Sequence, residues 1–196
     1  HFIEERLNVM LKEFDLPMEL VEKALYSLTS LIEKPALSDF DHASILSWGE
    51  LVTHKICIEH IRKQFAVTGF DPKQVLIASS NDNRNTKTQI LSAKCPVDFD
   101  SELAESLTDN LYLMPGFIAS NSARNTVVLG RGGSDTSAAY MAVILGATKV
   151  EIWTDVHGIF SANPHANPNA RLLLQLGYQE AREIAASGGA VLHPRC

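Results

Sequence analysis

The chain has 196 residues, of which 45% are apolar and 20% are charged, so it can bury a sizeable core as one globular domain. Its net charge of −6 and its lack of a basic run argue against a general nucleic-acid binder, and its apolar stretches are too short for a membrane span. The three cysteines are too few and too widely spaced for a metal site or a disulfide framework, and they fit a reducing cytoplasm.

The first third of the chain is predicted to be helical. Apolar residues recur at helical spacing from Phe2 to Phe14, and a second helix is expected from Pro17 to Glu33. The segment from Lys34 to His42 is interpreted as a loop, and a third helix is expected from Ser47 to Phe65. The first two helices carry no visible chemistry, so we expect them to serve packing.

The rest of the chain alternates short apolar strands with helices and polar connections. Strands are expected at 75–78, 117–119, 127–129 and 150–154, helices at 101–107, 134–145 and 178–186, and loops at 79–87, 121–125 and 155–170. Gly146 is expected to follow the end of the helix over 134–145. This alternation predicts an α/β fold with a mainly parallel sheet.

A glycine-rich loop, Leu129-Gly130-Arg131-Gly132-Gly133-Ser134-Asp135-Thr136-Ser137-Ala138, is the most informative local feature. It leads into a helical pattern, so its backbone N–H groups and the helix N-terminus predict an anion site. Arg131 adds a guanidinium group suited to a carboxylate or a phosphate. The letters match neither the dinucleotide fingerprint nor the nucleophile elbow nor the phosphate loop. The simpler interpretation is a capping turn with Ser134 or Asp135 as the N-cap.

A second motif, Ser47-Trp48-Gly49-Glu50, has two interpretations that compete for one side chain. A serine followed three residues later by a glutamate is the pattern of a capping box, in which Glu50 would bond back to the Ser47 N–H. Alternatively, the Glu50 carboxylate could pair with the ammonium group of a ligand.

Five separated motifs together resemble the signatures of aspartokinases, within the amino acid kinase family. In chain order they are Leu46-Ser47-Trp48-Gly49-Glu50, Pro115-Gly116-Phe117-Ile118, the loop from Leu129 to Ser137, Ile152-Trp153-Thr154-Asp155-Val156 with Gly158-Ile159, and Val191-Leu192-His193-Pro194. The resemblance extends from about Ser47 to Pro194. It implies a three-layer αβα sandwich around a mainly parallel sheet, of which this chain is an incomplete piece.

The resemblance also implies roles for individual residues. Substrate binding is implied for Glu50, Phe117, Arg131, Gly132, Gly133 and Ser134. Nucleotide binding is implied for Thr154, Asp155, Phe160, His165, Ala190 and Val191. Asp135 matches an aspartate that orders two catalytic lysines. We expect residues 1–45 to form a helical region, 46–130 a substrate-side part and 131–196 a nucleotide-side part.

Three positions of the nucleotide-side part depart from the family pattern. Phe160 stands where the family usually has tyrosine, and His165 stands where an arginine contacts nucleotide phosphate. Ala190 stands where the family has a lysine, and alanine supplies no cation. A histidine is mostly neutral near pH 7. The resemblance therefore leaves the substrate half intact and the ATP half eroded at two charged positions.

The function implied by the resemblance is transfer of the ATP γ-phosphoryl group to the side-chain carboxylate of L-aspartate, with Mg²⁺, in a homodimer without nucleic-acid or membrane partners. One alternative is a degenerate kinase-like domain that binds aspartate or serves as a scaffold, and another is a glutamate or N-acetylglutamate kinase. The family's first strand and its regulatory domains are expected to be missing, so we expect the piece to be inactive alone. Family members are fused to homoserine dehydrogenase or diaminopimelate decarboxylase, and the latter fusion is the one faintly suggested here.

Overall fold

The computed structural model describes residues 2–79, 83–155, 157–162, 167–186 and 196. The helices within these residues are α1 (Phe2–Glu13), α2 (Glu19–Ile32), α3 (Asp39–Arg62), α4 (Thr86–Leu91), α5 (Ser101–Ser106), α6 (Gly133–Ile144) and α7 (Tyr178–Ala186). The strands are β1 (Thr68–Gly69), β2 (Tyr112–Leu113), β3 (Ile118–Ser120) and β4 (Thr126–Val128). No helix in this part of the chain has the length and apolar character needed to cross a bilayer.

The first three helices pack around one apolar cluster, here called the helical core. Its buried members are Leu7, Leu11, Val21, Val52 and Ile56. The Trp48 indole N–H also donates to the Ala24 carbonyl oxygen at 2.7 Å, which ties α3 to α2. The predicted helices near the amino end are therefore confirmed as packing elements.

Helix α3 begins earlier than the sequence predicts. Its N-cap is Ser38, and Asp41 completes a capping box with Ser38. The predicted loop over residues 34–42 is therefore wrong in its second half, and the predicted helix start at Ser47 is wrong. Ser47 instead lies buried inside the helix, where its hydroxyl donates to the Ser44 carbonyl oxygen.

The four described strands form two short pairs, one parallel and one antiparallel. Strands β1 and β2 are parallel, whereas β3 and β4 form an antiparallel hairpin around the turn predicted at 121–125. Ile77 makes an isolated parallel bridge with Ser120, so only one residue of the strand predicted at 75–78 pairs. The strand predicted at 150–154 is irregular, and its Trp153 is 89% exposed. That segment lacks a strand partner within the described residues, and an unpaired strand backbone gains no ladder hydrogen bonds.

A second apolar cluster, here called the sheet core, lies between the strands and helices α3, α4 and α6. Its buried members are Ala43, Leu76, Ile90, Ala93, Cys95, Ala119, Val127, Val128, Leu129 and Ile144. Helix α6 ends as predicted, since Gly146 follows its C-cap and donates to Val143 while Ala147 donates to Ala142. These two bonds form a Schellman motif, which satisfies carbonyl groups at the helix end.

Candidate functional site

A cleft of about 320 Å³ opens where three separate segments of the chain meet. These segments are the middle of α3, the residue before β3, and the glycine-rich loop with the first turn of α6. The cleft is lined by Leu46, Glu50, Phe117, Gly130, Gly132, Gly133, Ser134 and Asp135. The fold therefore gathers most of the predicted substrate-side residues in one place.

The glycine-rich loop reaches α6 through two left-handed residues. Gly130 has φ +78° and Gly132 has φ +63°, a backbone region that residues with a Cβ rarely adopt. Gly132 is the N-cap of α6 and offers no side-chain cap, so the interpretation of Ser134 or Asp135 as the N-cap is wrong. The first N–H groups of a helix have no intrahelical partner and carry partial positive charge. This turn therefore presents backbone N–H donors to the cleft, beside the Asp135 carboxylate.

Phe117 also has a positive φ, at +70°, which is uncommon for a residue with a bulky side chain. Its carbonyl oxygen accepts from the Leu129 N–H at 2.9 Å, so the residue is anchored to the segment that enters the loop. A Cβ built on Gly133 would lie only 2.5 Å from Cδ2 of the Phe117 ring. Glycine at position 133 thus allows the aromatic ring to lie directly against the start of α6.

Glu50 projects into the cleft from the interior of α3. Because the helix is capped by Ser38 and Asp41, the capping-box interpretation of Ser47 and Glu50 is wrong. The Glu50 side chain is exposed and has no hydrogen-bond or ion-pair partner within the described residues. Its carboxylate therefore lines the same cleft as the first turn of α6, without a protein partner among the described residues.

Asp135 lies on the first turn of α6, at the edge of the cleft. Desolvation by neighbouring protein atoms, and then the negative charge of Asp135, raise the pKa of the Cys196 thiol above its ordinary value. The Asp135 charge therefore reaches the carboxyl-terminal end of the chain as well as the cleft.

The sequence profile of the amino acid kinase family matches residues 5–196. The chain belongs to the amino acid kinase family.

Three relatives of this kinase-family chain are aspartokinases. The bifunctional aspartokinase/homoserine dehydrogenase of Buchnera aphidicola subsp. Acyrthosiphon pisum is 36% identical over 200 residues, covering 100% of this chain and 24% of that protein. The lysine-sensitive aspartokinase 3 of Escherichia coli K12 is 33% identical over 183 residues, covering 90% of this chain and 39% of that protein. The aspartokinase of Rickettsia conorii is 33% identical over 171 residues, covering 86% of this chain and 40% of that protein.

Solved structures confirm the predicted amino acid kinase-like α/β fold. The crystal structure of E. coli aspartokinase III in complex with aspartate and ADP matches with a TM-score of 0.76 and 31% identity, covering 90% of this chain and 40% of that one. The same enzyme with lysine and aspartate matches with a TM-score of 0.73. This chain therefore spans between a quarter and two fifths of the length of these relatives. The relatives do not bear on the diaminopimelate decarboxylase fusion, which stays a prediction.

Other predicted site residues of this kinase-family chain do not line the cleft. Arg131 is exposed beside it and is absent from its lining. Thr154 and Asp155 are exposed in the irregular segment after α6, and Phe160 bridges to Leu172. The remaining predicted nucleotide-binding residues lie outside the described residues; they are His165, Ala190 and Val191.

Leu46 and Gly130 line the cleft although neither was predicted to bind a ligand. Leu46 stands four residues before Glu50, so the helical repeat places both on the same face of α3. That spacing is the signal that could have identified Leu46, had the helix start been predicted correctly. Gly130 could have been identified from its place in the loop.

Proposed function

We propose that this chain carries the amino-acid half of an aspartate kinase site, which transfers the γ-phosphoryl group of ATP to the side-chain carboxylate of L-aspartate. Family membership supports a kinase, and relatives named aspartokinases favour aspartate as the acceptor. The Ser-x-Gly-Glu and Trp-Thr-Asp-Val motifs favour it over the glutamate and N-acetylglutamate alternatives. The crystal structure of a relative with aspartate and ADP supports aspartate and an adenine nucleotide as the ligands.

The observation that carries the proposal is the charge pattern of the cleft. The cleft brings the Glu50 carboxylate together with the first N–H groups of α6, so it offers an acceptor for a cation and donors for an anion. An α-amino acid has an ammonium group beside a carboxylate, and these match the two kinds of partner. Phe117 adds an apolar surface to the lining, and Asp135 adds a second carboxylate on the α6 turn. Arg131, beside the cleft, is proposed to pair with the second carboxylate of aspartate.

The reaction needs no protein nucleophile. A side-chain carboxylate oxygen of aspartate forms a bond to the γ-phosphorus while the bond from that phosphorus to the β,γ-bridging oxygen breaks, giving 4-phospho-L-aspartate and ADP. Such transfers are catalysed mainly by positioning and by electrostatic stabilisation. In this proposal the cleft orients the acceptor, and Asp135 organises cations around the transferred group.

The proposal places the nucleotide beside the loop after α6. Thr154, Asp155 and Phe160 would contact it, together with the further predicted positions His165, Ala190 and Val191. The described residues contain no cluster of three or more His, Cys, Asp or Glu side chains suited to a metal. Mg²⁺ in kinases is bound by substrate phosphates and one or two carboxylates, so here it would be held chiefly by nucleotide phosphates, with Asp135 as the candidate protein carboxylate. Mg²⁺ would supply neutralisation of phosphate charge. A homodimer and a cytoplasmic location remain part of the proposal.

The binding half of the proposal can be tested on the 196 residues themselves. We expect L-aspartate to bind in isothermal titration calorimetry, and Glu50→Gln to weaken binding by about 10- to 100-fold, the value of a lost charge-assisted hydrogen bond. Glu22→Gln on α2 is the matched control, because Glu22 is outside the cleft, and it should change nothing. Equal affinity in the wild type and Glu50→Gln would contradict the assignment.

The catalytic half needs the longest natural chain that contains these residues, assayed for aspartyl hydroxamate with ATP, Mg²⁺, aspartate and hydroxylamine. We expect activity in that chain and negligible turnover from residues 1–196 alone. An Ala190→Lys variant runs beside it. Activity gained only in that variant would favour the degenerate-domain alternative, in which aspartate binds without transfer.

A further inference from the structure

We propose that Ser137 is a positioning residue whose buried hydroxyl holds Phe117 against the first turn of α6. The inference rests on the proposed function, because it concerns the amino-acid cleft. Ser137 does not line that cleft and was not predicted to have a role in it. It is 0% exposed, so any effect it has on a ligand must pass through other residues.

The Ser137 hydroxyl joins two chain segments that are far apart in sequence. Its oxygen accepts a hydrogen bond from the Phe117 N–H at 3.1 Å. Its own proton is shared between the carbonyl oxygens of Gly133 and Ser134, each 2.9 Å away. A serine hydroxyl has one donor proton and two acceptor lone pairs, so these contacts satisfy its donor and one of its two acceptor positions. The result is a direct link from Phe117 to the α6 turn.

The backbone conformation of Phe117 is unfavourable in the absence of restraints from neighbouring residues. Its φ of +70° is disfavoured for a residue with a Cβ and persists only where the surroundings enforce it. The two segments also press closely together, since a Cβ built on Gly116 would lie 2.9 Å from the Ser134 Cα. Strained backbone of this kind concentrates at ligand sites, where it sets the geometry in advance.

Loss of the Ser137 hydroxyl should therefore weaken the binding of the amino acid and not only lower the stability of the fold. Without it, the Phe117 N–H loses its partner and the left-handed conformation loses one of its restraints. The Phe117 ring would then be less well placed in the cleft wall.

The test uses Ser137→Ala in the 196-residue chain with L-aspartate as the probe. We expect roughly tenfold weaker binding by calorimetry, in line with one lost hydrogen bond of ordinary strength. Ser120→Ala is the matched control, because Ser120 is equally buried and its hydroxyl donates to the Lys73 carbonyl oxygen at 2.8 Å, outside the cleft. It should lower stability and leave the affinity for aspartate unchanged. Ser137→Thr, which keeps the hydroxyl, should restore binding.

Two further measurements separate positioning from a general loss of structure. Hydrogen exchange at the Phe117 amide should be faster in Ser137→Ala, whether or not a ligand is present. In a Phe117→Gly background, Ser137→Ala should no longer change the affinity, because the ring that it positions is gone. Additive effects of the two substitutions would overturn the proposal.

The outcomes distinguish this inference from the proposed function. If the wild-type chain does not bind L-aspartate, the proposed function and this inference both fail. If it binds, and Ser137→Ala binds equally well with unchanged exchange at Phe117, the function stands and the positioning role is wrong. An equal loss of affinity in Ser120→Ala would also overturn the positioning role, since the effect would then follow from stability.

Discussion

Phe117 is a half-buried residue of the cleft lining with an unfavourable backbone conformation, and substitution can separate the contribution of its side chain from that of its backbone. At φ +70° a side chain with a Cβ costs about 1–2 kcal/mol that glycine does not. We therefore expect Phe117→Gly to be more stable than Phe117→Ala by about 1 kcal/mol, the reverse of the usual order. Urea unfolding of the two variants, followed by circular dichroism, measures this difference.

Phe70 offers the matched comparison for that experiment. It is half-buried like Phe117, but it is not among the residues with positive φ. At this position we expect the usual order, with Phe70→Ala more stable than Phe70→Gly by about 0.5–1 kcal/mol. The same order at both positions would show that Phe117 is not strained.

At the residue scale, five of the six residues predicted to bind substrate lie together in the cleft, namely Glu50, Phe117, Gly132, Gly133 and Ser134. The glycines with Ser134 and Asp135 indicated an anion site, and Glu50 was singled out by the family resemblance. Arg131 does not line the cleft. That result was not predictable, since the direction of a side chain in a left-handed turn does not follow from residue type. The strain at Phe117 was not predictable either, since positive φ is recognisable in sequence mainly at glycine and asparagine.

At the scale of elements, α3 shows why a local pattern can mislead. Ser38-x-x-Asp41 and Ser47-x-x-Glu50 both resemble capping boxes, and nothing local distinguishes them. The tertiary structure does, because α3 packs Ala43 into the sheet core, where it is 0% exposed, and the residues from Asp39 onward are already helical. The helix therefore starts at the earlier box.

The capping box predicts a pH dependence of stability. The Lys34 ammonium and then the Ser38 hydroxyl and N–H hydrogen-bond the Asp41 carboxylate and hold its pKa well below the ordinary value. A carboxylate with a depressed folded pKa stabilises above its unfolded pKa, and that stabilisation fades as the pH falls below about 4. We expect Asp41→Asn to be less stable than the wild type at pH 6, with the gap closing toward pH 3 in urea titrations.

Asp39→Asn is the control for the general effect of the helix dipole on that measurement. Asp39 lies in the same first turn, outside the hydrogen bonds of the capping box. At pH 6, Asp39→Asn should lower the free energy of unfolding by less than Asp41→Asn does. A gap for Asp41→Asn that stays constant down to pH 3 would mean that the carboxylate is not specially stabilised.

The strand expected at 150–154 was also predicted wrongly, since this segment is irregular in the structure. Its apolar letters satisfy the pattern for a buried strand, yet a strand also needs a hydrogen-bonded neighbour. Pairing is a property of two segments, so a pattern within one of them does not establish it. Helices α2 and α7 were predicted almost to their ends, because the hydrogen bonds of a helix lie within one segment.

At the scale of the whole molecule, α3 connects the two apolar cores. Ala43 belongs to the sheet core, while Val52 and Ile56 belong to the helical core. The helix also contacts α2, α4 and β4. A destabilising substitution at either end of α3 should therefore lower the stability of both apolar cores.

Ile56→Ala tests this connection. Ile56 is 1% exposed, so the substitution should cost about 2–5 kcal/mol. We expect Trp48 fluorescence, measured with Trp153 replaced by phenylalanine, and the accessibility of the buried Cys95 thiol to report the same lowered urea midpoint. Ile32→Ala at an exposed position of α2 should change the midpoint little. Separate midpoints for Trp48 and Cys95 would show that the two cores unfold independently.

The convergence of three segments on the cleft has a stereochemical consequence. Glu50 from α3, Phe117 just before β3, and the N–H groups of α6 belong to three separate segments, so under the proposed function they would contact an amino acid at three points. Three such contacts are the minimum by which a rigid receptor distinguishes a molecule from its mirror image. A D-amino acid that pairs with Glu50 and with the α6 N–H groups would direct its side chain away from the third contact, so the proposed site is expected to select the L enantiomer.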